Sequence, residues 1–233
     1  MIYFFTGKPG NGKSLHMAEI IYKNIKKGKN VIANFEINEA VFDKCRNKDK
    51  LGQFIYENNE YWLNNAYTDK ADKNKVLKEY SYLDGLYHYA TQFHKRNNRG
   101  QIIEHQTLLV LDECQELFNS RTWNRRDRLA WCGFFRQHRK YGYDVYLISQ
   151  DDNVIDKQIR NILEYEVEHR CVNNYKTFGK FLGLLAGSKV FVAITKWYAV
   201  GNQRKKDAHI NTKWFTGKKK FYQFYDSYKV FNS

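Results

Sequence analysis

The sequence is short of cysteine, of acidic charge and of long apolar runs. Cys45, Cys114, Cys132 and Cys171 are the four cysteines of 233 residues, widely spaced and without a CxxC pair. That spacing excludes a cysteine metal site and a disulfide framework, and with no leader before the first strand it is expected of a reduced cytosolic protein. A membrane helix needs about 20 apolar residues, and the greasiest stretch, FLGLLAGSKVFVAITKWY, is split by Lys189 and bounded by Lys180 and Lys196. No transmembrane segment is expected in this chain. A buried hairpin is, the alternative being headgroup contact through those lysines and Trp197. The 25 Asp and Glu face 39 Lys and Arg, leaving a net charge of +14. A polyanion or an anionic membrane surface is the natural partner of such a chain, set against a merely solvated, lysine-rich face.

What is present starts at the N-terminus, where MIYFFTGKPGNGKSL runs an apolar strand, Ile2 to Phe5, into a glycine-rich loop. Gly7, Lys8, Pro9, Gly10, Asn11, Gly12, Lys13 and Ser14 satisfy G-x-x-x-x-G-K-[ST] between a strand and a helix, the context the pattern requires. The helix is read from Leu15, Ala18, Ile21, Tyr22 and Ile25 at a 3.6-residue period, ending at KKGKN. Glycines there let backbone N–H groups crowd a phosphate, and the helix N-terminus adds partial positive charge. Lys13 is expected to reach the β and γ phosphates of ATP and Ser14 to complete a Mg²⁺ site.

The matching half is TLLVLDECQELF, a continuous apolar run typical of a central parallel strand, ending in Asp112 and Glu113. Asp112 suits a Mg²⁺ ligand, direct or through water, and Glu113 a general base for the attacking water. Capping of the following helix is the alternative role for Asp112. A third strand, Val145 to Ile148, ends in Ser149 and Gln150. Ligands of open α/β sheets bind beyond the carboxyl ends of the strands, so Gln150 is a candidate γ-phosphate sensor, or simply a polar strand end. NVIANF supplies another strand and LEYEVEHRCV a more polar one suited to an edge. The order is that of an α/β fold, a mostly parallel sheet flanked by helices.

Residues 36–100 break this rhythm with an Asn-, Lys- and Tyr-rich insertion that includes a plausible helix, NKVLKEYSYLDGLYHYATQFHKR. Its tyrosines are expected in the core rather than on bases. The expected organisation is a nucleotide-binding core over 1–175 carrying that insertion, then a basic, aromatic, β-rich extension over 176–233. After Cys171, eleven lysines and Arg204 stand against Asp207 and Asp226. Interleaved with Trp197, Trp214, Phe215, Phe221 and Tyr222, they suit a nucleic-acid track, with membrane headgroups or plain surface as the alternatives. In SRTWNRRDRLAWCGFFRQHRK, the stripe Leu129, Cys132 and Phe135 predicts an amphipathic helix packed on the sheet with several arginines outward. His138 reads as a packed residue.

The P-loop from Gly7 to Ser14, Asp112-Glu113 with Gln115, Arg121, the RQHRKYGYDVYLISQ block and the closing FYQFYDSY resemble the N-terminal ATPase domain of the zonular occludens toxin (Zot) family, which includes the gene I assembly proteins of filamentous phages. The resemblance covers nearly the whole chain. It implies a RecA-like P-loop NTPase that forms a homo-oligomeric ring in the host cytoplasm, peripheral at the inner face of the inner membrane. Its implied work is to hydrolyse ATP to drive phage assembly and extrusion, with single-stranded viral DNA or coat and assembly proteins as partners. In such a ring one subunit's arginine completes its neighbour's site, and Arg121 and Arg139 are the candidates. Lys140 departs from relatives that often carry His there. Family members usually continue into a transmembrane helix and a toxin-bearing tail, and toxin activity belongs to that tail. A P-loop kinase and a nucleotide-gated binding protein are the competing functions. A water-activating Glu113 disfavours the kinase, because hydrolysis wastes the phosphate donor.

Overall fold

A computed structural model describes residues 1–43, 45, 48–56, 82–122, 127–174, 187–198 and 208–225. Eight strands form one sheet in the order β3-β2-β4-β5-β1-β6-β7-β8. The strands are Ile2–Thr6 (β1), Asn30–Ala33 (β2), Phe54–Tyr56 (β3), Thr107–Leu111 (β4), Tyr143–Ile148 (β5), Tyr165–Cys171 (β6), Val190–Trp197 (β7) and His209–Thr216 (β8). The first six pair in parallel, whereas β7 runs antiparallel to β6 and β8 antiparallel to β7. This is the α/β, mostly parallel sheet expected, and the two strands of the basic extension lie in the same sheet as the core. The greasy stretch before Trp197 contributes β7, paired on both edges, and its residues 181–186 lie outside the described residues.

The helices are Lys13–Lys26 (α1), Tyr82–Phe93 (α2), Gln115–Phe118 (α3), Arg128–Gln137 (α4), Lys157–Arg160 (α5) and Lys219–Phe224 (α6). On one face α1 buries Leu15, Met17, Ala18, Ile21 and Ile25 against Phe5, Val31, Val110 and Ile148, and α6 adds Phe221 and Phe224. On the other face α2 and α4 cover Ile2, Phe4, Leu109 and Val145. Alternate residues of β1 thus feed opposite cores, as the two-residue period of a strand requires. All five residues of β4 are buried, which explains its continuous apolar sequence. Tyr87 of α2 packs edge-on against Phe134, so this tyrosine of the insertion serves the core. The helix expected from residue 74 is observed from Tyr82, and 74–81 lie outside the described residues.

Two expectations are corrected. β6 is not an edge strand: it lies between β1 and β7, because the C-terminal strands return to pair with it. Its polar Glu166, Glu168 and Arg170 share one face, where Lys196 of β7 reaches Glu168 at 2.5 Å. The apolar stripe of α4 is also rotated. Leu129 is 74% exposed, while Arg128 is 3% exposed and its Nη1 meets Asp156 Oδ2 at 3.0 Å. Trp131, Cys132, Phe134 and Phe135 fill the interface, and burying these three rings sets the helix phase more strongly than Leu129 does.

Candidate functional site

β5 lies between β4 and β1, so Gln150 at its end sits between the carboxylates beyond β4 and the loop beyond β1. All three meet at the carboxyl edge of the parallel strands. A cleft of about 610 Å³ opens there, lined by Gly12, Lys13, Ser14, Asp112, Glu113 and Gln150 together with Lys189, Phe191, Tyr222 and Tyr225. A second cleft of about 580 Å³ lies across the loop, lined by Gly7, Lys8, Asn11 and Gln150 with Asp151, Asp152, Glu166 and Glu168. Only the first holds both Lys13 and the Asp112-Glu113 pair.

The loop is pinned from below. Gly7 has φ +136°, and a Cβ there would lie 2.5 Å from the His169 carbonyl oxygen. Asn11 Nδ2 donates to that same oxygen at 2.9 Å, so β6 fixes the loop's height. Gly12 precedes α1 in the left-handed conformation, φ 89°, and a Cβ there would meet the Phe191 ring at 2.7 Å. Lys13 Nζ donates to the carbonyls of Gly7 at 2.7 Å and Lys8 at 3.5 Å. The ammonium therefore closes the loop on itself. Burial lowers the Lys13 pKa, and Asp112 and Glu113 oppose that shift. The first turn of α1 carries no acidic residue, leaving its positive end to an anion.

Asp112 is 7% exposed. Burial, and then the neighbouring Glu113, raise its pKa to about 6, against the lowering effects of the Glu113 N–H, Tyr225 and Lys13. Its Oδ1 accepts the Glu113 N–H at 2.9 Å and its Oδ2 accepts the Tyr225 hydroxyl at 3.2 Å. Glu113 adopts φ 47°, a left-handed backbone uncommon outside glycine and typical of functional strain. Gln115 Nε2 donates to Glu113 Oε2, so the residue two positions on holds the candidate base. Among the described residues no cluster of three His, Cys, Asp or Glu could hold a metal ion. The Ser14 hydroxyl and the Asp112 carboxylate, both neighbours of the Tyr225 phenol, supply hard oxygen donors. That set fits Mg²⁺, which is bound through one or two protein oxygens with phosphates and water completing the shell.

The arginine candidates are not in this cleft. Arg139 precedes β5 and so stands at the amino end of the strands, opposite the loop, where its Nη2 donates to Glu164 Oε2 at 2.6 Å. His138 beside it is buried, with Nδ1 paired to the Phe135 carbonyl at 2.5 Å. Arg121 lies exposed in a 3₁₀ turn beyond α3, its N–H held by Asn119 Oδ1 at 2.9 Å. The wall formed by Lys189, Phe191, Tyr222 and Tyr225, and the support from Asn34 and His169, were not read from sequence as parts of the site. Only FYQFYDSY carried a signal, through its family resemblance.

Residues 1–180 match the sequence profile of the family described as Zonular occludens toxin (Zot). The chain is 27% identical over 238 residues to the Gene 1 protein of Enterobacteria phage M13, covering 100% of this chain and 60% of that protein. Against the Gene 1 protein of Salmonella phage IKe it is 27% identical over 241 residues, covering 100% and 58%. The chain thus spans no more than about 60% of the length of either relative. The crystal structure of the N-terminal domain of zonular occludens toxin from Neisseria meningitidis superimposes with a TM-score of 0.52 at 16% identity, covering 97% of this chain and 98% of that one. That likeness shows the fold.

Proposed function

The chain belongs to the zonular occludens toxin (Zot) family, and we propose that it is an ATP-hydrolysing P-loop motor for phage assembly or viral DNA translocation. The observation that carries this reading is the convergence of Lys13, Asp112, Glu113 and Gln150 on one cleft at the carboxyl edge of the sheet. The loop N–H groups and the start of α1 bind the phosphates. Lys13 leaves the Gly7 and Lys8 carbonyls to meet them. Glu113, held by Gln115, takes the proton of the attacking water at a carboxylate oxygen while Gln150 orients that water toward the terminal phosphate. Ser14 and Asp112 would hold Mg²⁺, whose charge would be supplied against that developing on the transferring phosphoryl group.

Assembly as a ring would place an arginine in the neighbour's site, and Arg121, exposed and on the chain leaving the Asp112-Glu113 corner, is the stronger candidate. The surplus of lysines beyond Cys171, with Trp197 and Trp214 exposed, supports a nucleic-acid track. Among the described residues no helix is long and apolar enough to cross a membrane, so any contact of these residues with the inner face of a membrane would be peripheral.

The test is the ATPase rate with and without single-stranded DNA across protein concentration, with Lys13→Ala and Glu113→Gln as controls. Lys13→Ala should lose nucleotide binding, and Glu113→Gln should bind ATP without turning it over. Stimulation by DNA that rises cooperatively with protein identifies a ring motor on DNA. A DNA-indifferent rate moves the track to coat protein or membrane, and equal hydrolysis by Glu113→Gln removes that residue as the base.

A further inference from the structure

The hydroxyl of Tyr225 lies on the two groups that would hold the metal. It donates to Asp112 Oδ2 at 3.2 Å, and the Ser14 hydroxyl is its other polar neighbour. Asp112 Oδ1 is already committed to the Glu113 N–H, so Oδ2 is the oxygen whose direction Tyr225 controls. The phenol is firmly mounted. Its ring meets Phe35 edge-on with centroids 4.9 Å apart. The preceding α6 locks Phe224 against Tyr22 and Phe42, and the Asn38 N–H donates to the Phe224 carbonyl at 2.9 Å. A hydroxyl held this way on a buried carboxylate fixes one rotamer of Asp112 instead of following it.

Resting on the reading of this cleft as an ATP site, we propose that Tyr225 is a positioning residue of its metal corner, orienting the Asp112 carboxylate so that Oδ2 and the Ser14 hydroxyl converge. The consequence extends beyond one hydrogen bond. Tyr225 ends α6, which is packed on α1 and on the 3₁₀ turn Glu39–Phe42, so the order of the metal corner is coupled to the seating of the C-terminal helix. Without the phenol the carboxylate gains rotamer freedom, and the metal must pay the ordering cost.

The experiment is Tyr225→Phe in the full chain, which keeps the ring against Phe35 and removes only the hydroxyl. Binding of a fluorescent ATP analogue is titrated against Mg²⁺ in the Glu113→Gln background, and again in EDTA. The Mg²⁺ concentration for half-maximal binding should rise about fivefold to tenfold, the scale on which one net hydrogen bond acts. The variant should keep cooperative thermal unfolding with a midpoint lower by no more than a few degrees, the cost of about one buried hydrogen bond, which a general loss of structure would not allow. An unchanged half-saturation overturns the proposal, and a lower one overturns it by showing that the phenol competes with the metal. A parent chain without Mg²⁺-dependent nucleotide binding overturns the ATP-site reading itself, an outcome distinct from either.

Discussion

Asn34 grips the main chain of Asp112 from both sides: its Oδ1 accepts the Asp112 N–H at 2.7 Å and its Nδ2 donates to the Asp112 carbonyl at 2.8 Å. Asn34 follows β2, the neighbour of β4, and is buried. One amide thus sets the height at which the candidate metal ligand leaves the sheet.

Replacing Asn34 with Ala strands both backbone groups of Asp112 in a dry site. The expected cost is about 2 to 6 kcal/mol, the sum for two unsatisfied buried groups, together with weaker Mg²⁺-dependent nucleotide binding. Urea unfolding checks the first, and a loss below about 0.5 kcal/mol would show that the two groups find other partners.

Gly12→Ala tests the contact between the loop and β7. A Cβ would face the Phe191 ring at 2.7 Å with φ at +89°, and left-handed backbone plus overpacking costs about 2 to 4 kcal/mol. Adding Phe191→Leu should recover part of the loss by removing the ring. Recovery of nothing would place the whole effect in the backbone.

His169 and His16 face each other in the core below the loop, Nε2 to Nδ1 at 2.9 Å. Burial lowers the His169 pKa to about 4, with the charges of Lys13 and Lys213 adding to the shift and the Thr6 and Val167 backbone opposing it. A folded pKa below the unfolded value of about 6.5 means that the unfolded chain takes up the proton first as pH falls. Stability from this residue is therefore complete above pH ~6.5 and declines toward pH ~4. The urea midpoint of His169→Gln should fall less steeply over that range than that of the parent; equal slopes would assign the acid sensitivity elsewhere.

The lysines of the extension divide by partner. Lys213 pairs with Glu19 at 3.0 Å and Lys196 with Glu168, whereas Lys218, Lys219 and Lys220 are exposed, Lys220 lying over the Tyr22 ring at 4.6 Å. Replacing Lys218, Lys219 and Lys220 with Glu should weaken single-stranded DNA binding and flatten its dependence on log salt, because each phosphate that is no longer neutralised takes about 0.7 from the slope. Fluorescence anisotropy across salt concentrations measures both. An unchanged slope makes this run plain surface.

The local parts of the site were legible because their determinants are local. The loop from Gly7 to Ser14 joins β1 to α1 within one stretch, and the apolar LLVL before Asp112 marks a strand buried on both faces. Contacts between distant segments were not legible. Tyr225 reaches Asp112 across 113 positions, and no periodicity encodes that pairing. Arg139, expected to act in a neighbouring subunit's site, precedes β5 and so stands at the amino edge of its own sheet, a placement that residue spacing alone does not give. Leu129 fitted an apolar stripe, but the packing of Trp131, Phe134 and Phe135 set the phase of α4 and turned Arg128 inward.

Sequence alone determined that the chain has a glycine-rich loop of the phosphate-binding pattern, a strand ending in two carboxylates and a lysine-rich C-terminal quarter, since residue type and short-range spacing suffice for each. Only the tertiary structure decided that β5 lies between those halves, that β6 is interior, and that the C-terminal segment walls the cleft with Lys189, Phe191, Tyr222 and Tyr225. Strand order and direction are set by the burial of two cores at once, a global condition that no local window of residues contains.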